Sequence, residues 1–260
     1  MTALFDKIIF GPIHSRRLGL SLGVNLLPQE AKICNFDCIY CECGSNGERR
    51  GEALQRRFAV RTQVEEALSS QLTQMAIDAT PPDVITFAGN GEPTLHPEFE
   101  QIIESTIATR NQLCPEAKVS VLSNATTLDK ESVVRALRLV DNPILKIDSA
   151  IQESAQIINS PAVGYSVERV IELMATSLKG VCIVQTMFLR GVVGGVAFDN
   201  TTETEIKAWL DALQKIKPRS VMIYSIDRDT PLHTLEKIDK EQLEQIAQRA
   251  RQIGIECSAA

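Results

Sequence analysis

The chain contains no long apolar run. Nothing in its 260 residues approaches the roughly 18 consecutive apolar positions that a membrane-spanning helix needs. Its start, Met1-Thr2-Ala3-Leu4-Phe5-Asp6, has neither the basic flank nor the apolar stretch of a secretory leader. A cytoplasmic protein with no membrane partner is expected. Positive charge is in deficit, with 27 Lys and Arg against 33 Asp and Glu and a net charge of −6, so no overall field draws the molecule to nucleic acid. A local patch, Arg49, Arg50, Arg56 and Arg57, leaves such a contact open. Internal repeats and low-complexity segments are also missing. Seven cysteines in a reducing compartment argue against a disulfide framework.

What is present is enough apolar material, 44% of the residues, to bury a large core as one domain. Apolar stripes at helical spacing recur at Val64, Leu68, Leu72 and Met75, and at Phe99, Ile102, Ile103, Thr106 and Ile107, with Pro97 suited to that helix's first turn. Further stripes run along Val133, Val134, Leu137 and Val140, and from Ser166 through Val170, Ile171 and Met174. Thr202 and Glu205 fit a capping box before Ile206, Trp209, Leu210 and Leu213. Asp239 and Gln242 repeat that logic for a sixth helix, with Ile238 stapled to Leu243 and Gly254 at its end. Between the helices lie short apolar runs suited to buried parallel strands: Val84–Phe87, Val119–Leu122, Ile144–Ile147, Val181–Phe188 and Val221–Tyr224. A first strand is expected just before Cys34.

This alternation predicts an α/β fold with parallel strands, and six units favour a partial (β/α)6 TIM-like barrel over an open sheet. Residues 1–32 are expected to form an N-terminal extension packed on a barrel of residues 33–260. Sites in such folds form where strands end. The expected ends are polar throughout: Gly89-Asn90-Gly91-Glu92, Ser123-Asn124, Asp148-Ser149, Arg190-Gly191 and Ser225-Ile226-Asp227-Arg228.

The densest chemical signal is Cys34-Asn-Phe-Asp-Cys38-Ile-Tyr-Cys41. A closed zinc site needs a fourth ligand. Cys43 follows too closely on Cys41 to be a comfortable one, and none of the three histidines stands nearby. Three thiolates favour a four-iron cluster with one iron left open, with zinc the alternative. Cys114, Cys182 and Cys257 are scattered and read as small buried hydrophobes.

Cys-x3-Cys-x2-Cys with Tyr40 directly before the last cysteine resembles the signature of the radical S-adenosylmethionine (SAM) superfamily. Phe87-Ala-Gly-Asn-Gly-Glu-Pro-Thr94 is similar to that family's Gly-Gly-Glu segment, with Asn90 in place of one glycine; the alternative is a Gly-rich turn. Gly11–Gly19, Asn25–Pro28 and weaker matches along the chain resemble the branch of iron–sulfur oxidoreductases related to the tRNA wyosine-base synthase. Archaeal members of that branch carry cysteines upstream of the signature, and none precedes Cys34 here.

The resemblance implies a [4Fe-4S] cluster on Cys34, Cys38 and Cys41, and reductive cleavage of SAM to a 5′-deoxyadenosyl radical that abstracts hydrogen from a small molecule or a tRNA nucleoside. It implies SAM contacts from Gly89, Asn90, Gly91 and Glu92, with Tyr40 near the adenine and Ser123, Asn124, Asp148 and Gln185 on the ribose or carboxylate. Ordinary polar loop starts are the alternative for each. A low-potential flavodoxin or ferredoxin would supply the electron, and the run from Glu48 to Arg57 is either a solvated segment or its dock. From periodicity, Ile144, Lys146 and Asp148 share one strand face, so Lys146 either pairs with a carboxylate such as Asp148 or serves substrate or cofactor. Asp227 and Arg228 are the candidates for facing substrate, with a loop ion pair as the alternative. A glycyl-radical activase, and a non-catalytic iron–sulfur or zinc module, are the competing functions.

Overall fold

The computed structural model describes residues 4–15, 18–46, 58–228 and 230–260. The basic patch of Arg49, Arg50, Arg56 and Arg57 lies outside the described residues. Strand β1 (Ile9–Ser15) pairs antiparallel with β2 (Gly19–Val24). Strand–helix units follow: α1 (Arg61–Ile77), β3 (Val84–Phe87), α2 (Phe99–Leu113), β4 (Lys118–Ser123), α3 (Glu131–Leu139) and β5 (Asn142–Lys146). Next come α4 (Gln152–Asn159), α5 (Val167–Ser177), β6 (Ile183–Met187), β7 (Leu189–Val193), β8 (Val196–Asp199) and α6 (Glu203–Ile216). The chain closes with β9 (Ser220–Tyr224), β10 (Leu235–Lys237), α7 (Lys240–Gln252) and β11 (Cys257–Ala259).

The main sheet has the order β1-β2-β3-β4-β5-β6-β9-β11, and every pairing from β2 onward is parallel. Ser21, Thr86, Leu122, Ile144, Gln185 and Met222, one from each of six strands, all line a single cavity, so the sheet curls into a partial barrel around them. The alternate residues point outward. Leu22, Ile85, Val121, Leu145, Val184 and Val221 form one core with the helix stripes at Leu68, Ile102, Leu137, Met174, Trp209 and Ile246. Each large apolar side chain buried this way contributes about 1.5–3 kcal/mol relative to exposure. Truncating one, as in Leu145→Ala, removes about 2–5 kcal/mol. Trp209 brings a polar edge into this core, and its Nε1 donates to Thr186 Oγ1 at 2.9 Å, which itself donates to the Ile147 carbonyl. Cys114, Cys182 and Cys257 are buried in the same core.

Several expectations are corrected. The first parallel strand is Gly19–Val24, not a segment directly before Cys34, so the expected extension supplies a barrel strand and a loop separates it from the cysteines. A seventh parallel strand, β11, adds to the six. Helix α2 begins at Phe99, after a 3-10 turn at Pro93–Leu95, which leaves Pro97 outside it. Arg190-Gly191 is not a strand end. It lies within β7, which forms a hairpin with β8 across the left-handed pair Gly194-Gly195, and β10 joins them in a small separate sheet.

Thr202 and Asp239 cap their helices by accepting from the backbone of Glu205 and Gln242. The return half of each box is diverted. Glu205 accepts from Ser149 and Ser154, and Gln242 bonds Arg190 and Thr201.

Candidate functional site

The loop after β2 crosses the top of the barrel and is fastened on two sides. On one, Ile33 forms a single parallel bridge with Gly91: its N–H donates to the Asn90 carbonyl at 2.9 Å, and its carbonyl accepts from Glu92 N–H at 3.0 Å. Gly91 has φ +134°, and a Cβ there would sit 1.9 Å from the Ile33 carbonyl oxygen. The glycine is required by the chain's own close approach. On the other side, Asp37 and Ile39 donate to the carbonyls of Asn159 and Ile158 at the end of α4, which fixes Cys38 between them.

Cys34, Cys38 and Cys41 therefore line one cavity of about 250 Å³. Burial raises the Cys34 thiol's pKa and pushes that of Cys38 up to about 11, so a cation would be needed to hold them as thiolates. Cys41 lies low, chiefly through a hydrogen bond with Cys43 and then through the Lys32 ammonium. Lys32 Nζ donates to Asp37 at 3.0 Å and to the Gly44 carbonyl at 2.8 Å. Burial opposes its charge, but Cys41 and Asp37 outweigh that and raise its pKa. Among the described residues, no three His, Cys, Asp or Glu side chains are placed to hold a single metal ion. A cubane makes a different demand, because its thiolates bind separate irons. Three thiols around a common buried space suit that group, while Cys43 is turned to the Gly89 carbonyl at 3.4 Å.

Gly89, Gly91, Glu92, Ser123, Asn124, Lys146 and Gln185 line the same cavity. Glu92 is buried, which raises its pKa, and it accepts from Thr94 N–H and hydroxyl at 3.1 and 2.6 Å and from Asn124 N–H at 2.7 Å. Asn124 Nδ2 donates to Asn35 at 2.6 Å and lies 3.6 Å from Cys34 Sγ. Asn90 does not join them. Its side chain turns away and binds the backbone of Phe5 and Pro28, tying the N-terminal segment to the strand end.

Tyr40 and Lys146 also line the cavity, whereas Asp148 stands behind them. Asp148 accepts from Tyr40 OH, from Asn159 Nδ2 at 2.7 Å and from Met187 N–H at 2.9 Å. Lys146 Nζ is 2.7 Å from Tyr40 OH and 3.6 Å from Asp148 Oδ2. Burial disfavours its charge, but Asp148 outweighs that and raises its pKa. Lys32 and Asn159 had no mark in the sequence: Lys32 precedes the signature as an ordinary basic residue, and Asn159 lies 121 residues from Cys38.

A second cavity, about 300 Å³, fills the barrel lumen and shares Ala88, Leu122 and Gln185 with the first. Asp227 and Arg228 line it together with Glu42. Both are in exposed ion pairs, Asp227 with Lys237 at 3.0 Å and Arg228 with Glu42 at 2.7 Å.

The family model described as Radical SAM superfamily matches residues 31–194. A UPF0026 protein of Synechocystis is 31% identical over 227 residues, covering 86% of this chain and 77% of that one. One of Helicobacter pylori is 30% identical over 226 residues, covering 85% and 67%. Among solved structures, that of TYW1 with a lysine–pyruvate adduct bound aligns with a TM-score of 0.61 at 12% identity, over 89% of this chain and 73% of that one. At that identity the likeness concerns the fold. No described helix is long and apolar enough to cross a membrane.

Proposed function

The chain belongs to the radical SAM superfamily, whose cofactors are a [4Fe-4S] cluster and SAM, and from that premise we propose that it is an enzyme carrying out hydrogen abstraction in its barrel lumen. Cys34, Cys38 and Cys41 would hold the cluster. Lys32 would offset the negative charge of the thiolates, and Glu92, Ser123, Asn124 and the backbone around Gly89 and Gly91 would seat the methionyl end of SAM. When bound, the two cofactors supply one-electron cleavage of the sulfur–C5′ bond and a reactive carbon centre.

The observation that carries this reading is the meeting of the two cavities at Ala88, Leu122 and Gln185. A substrate in the lumen would touch the same three residues that border the cofactor cavity, the proximity that positioning of a reactive hydrogen requires. Ile39, Tyr40, Ile158, Met187 and Leu189 pack as a small apolar cluster that reaches one cavity through Tyr40 and the other through Met187 and would help exclude water. A lumen of about 300 Å³ suits a small molecule or one nucleoside. Gln185 would orient it, and Arg228 and Asp227 would meet its polar end. Electrons would come from a low-potential flavodoxin or ferredoxin.

Anaerobic reconstitution tests the proposal. About four irons per chain and dithionite-dependent 5′-deoxyadenosine, stimulated by a substrate from transfer RNA or metabolite pools, are expected. Stoichiometric zinc with no cleavage of SAM would overturn it.

A further inference from the structure

Asn159 is buried at the last turn of α4, 2% exposed, yet its carboxamide faces the cysteine loop. Its Nδ2 carries two hydrogens. One points to Asp148 Oδ2 at 2.7 Å and the other to Cys38 Sγ at 3.4 Å. The backbone beside it is pinned to the same loop: the Asn159 main-chain carbonyl accepts from Asp37 N–H at 2.8 Å, the Ile158 carbonyl accepts from Ile39 N–H at 3.0 Å, and those two donors bracket Cys38. Asp148 is itself held by Tyr40 OH and by Met187 N–H at 2.9 Å, and Lys146 Nζ lies 3.6 Å from the oxygen that receives Asn159. A fixed chain thus runs from Lys146 and Tyr40 through Asp148 and Asn159 to one sulfur.

A hydrogen bond to a thiolate that binds iron has two physical effects. It selects the rotamer that aims the sulfur, and it stabilises the electron density that a reduced centre pushes onto its ligands, which raises the reduction potential. Asn124 makes a similar but longer approach to Cys34, at 3.6 Å, with its other hydrogen directed to a neutral amide oxygen, that of Asn35, at 2.6 Å. We propose that Asn159, oriented by Asp148, is a positioning residue that donates to the Cys38 thiolate and raises the potential of the bound cluster. This rests on Cys38 being a cluster ligand.

The full chain, Asn159→Ala and Asn159→Ser are reconstituted anaerobically without SAM, their iron is counted, and the fraction reduced is followed by electron paramagnetic resonance as the potential is lowered. Where the wild-type centre is half reduced, the ratio of reduced to oxidised centre in Asn159→Ala is expected to fall about tenfold, a shift of about 59 mV for one electron. Asn159→Ser keeps a shorter donor, should fall in between, and guards against an alanine variant that does not load. A potential equal to wild type in either loaded variant overturns the inference while leaving the iron assignment intact. A wild-type chain without a reducible four-iron centre instead removes the assignment beneath it.

Discussion

The two cavities that meet at Gln185 are built on opposite plans. In the cysteine-lined cavity most polar groups already have partners within the protein: Glu92 with Thr94 and Asn124, Lys32 with Asp37 and Gly44, Lys146 with Tyr40 and Asp148. The lumen is walled by Phe10, Leu122, Ile144, Met187 and Met222 around a hydroxyl pair, Ser21 and Thr86 at 2.8 Å, and its charged mouth consists of exposed ion pairs. The first arrangement is preorganised, which suits a cofactor of constant shape. The second relies on adaptable thioethers and weak surface pairs, where chains sharing one chemistry can differ in substrate.

The sharpest break of that contrast is Cys38→Ala, which should abolish iron loading and reduce 5′-deoxyadenosine to background while far-ultraviolet circular dichroism stays native. Next is Gly91→Ala, which forces a side chain against the Ile33 carbonyl at a strained φ. It should cost about 3 kcal/mol in denaturant unfolding, and any relief would come by loosening the cysteine loop. Met222→Trp fills the lumen, and Met222 does not line the cysteine cavity. Substrate-stimulated cleavage should drop about tenfold, equivalent to about 1.4 kcal/mol, while substrate-free cleavage remains, and equal losses in both would dissolve the distinction between the cavities.

Arg228→Ala should change stability by less than about 0.5 kcal/mol, because its pair with Glu42 is exposed, but should raise the substrate KM.

The smallest effect concerns His96. Burial lowers its pKa below the ordinary 6.5, and its ring is used as a neutral tautomer, with Nε2 donating to the Ala59 carbonyl and Nδ1 accepting from Glu98 N–H. The unfolded chain therefore takes up the proton first. Its stabilisation is present above pH 6.5 and is lost as the pH falls below that value toward the folded pKa. Unfolding midpoints measured as the pH falls below 6.5 should decline in the wild type, and more shallowly in His96→Gln.

Much of the barrel was legible from local pattern. The strand Val84–Phe87 and the stripes at Val64, Leu68, Leu72 and Met75 appear as expected, since burial on a regular element leaves a period in the sequence. The α4 helix was missed because its eight residues, five of them polar, carry no stripe long enough to register. Asn90 is the instructive case among the site residues. Its place in a glycine-rich strand end suggested contact with a ligand, but which way a buried amide turns depends on the carbonyls available to it, and those of Phe5 and Pro28 lie far away along the chain. Lys146 shows the reverse: the expected pairing with Asp148 is present, and Tyr40 enters as the link between them.

The sequence by itself determined the alternation of strands and helices, the trio of thiols in one short loop, and that Ile144 and Lys146 share one face of their strand, because spacing along a regular backbone decides each of these. Tertiary structure alone decided that Ile33 presses on Gly91, that Lys32 lies beside the thiols and that Asn159 reaches Cys38. Those contacts join segments many residues apart, and their geometry exists only once the sheet has curled and the cysteine loop has been fastened to both Gly91 and the end of α4.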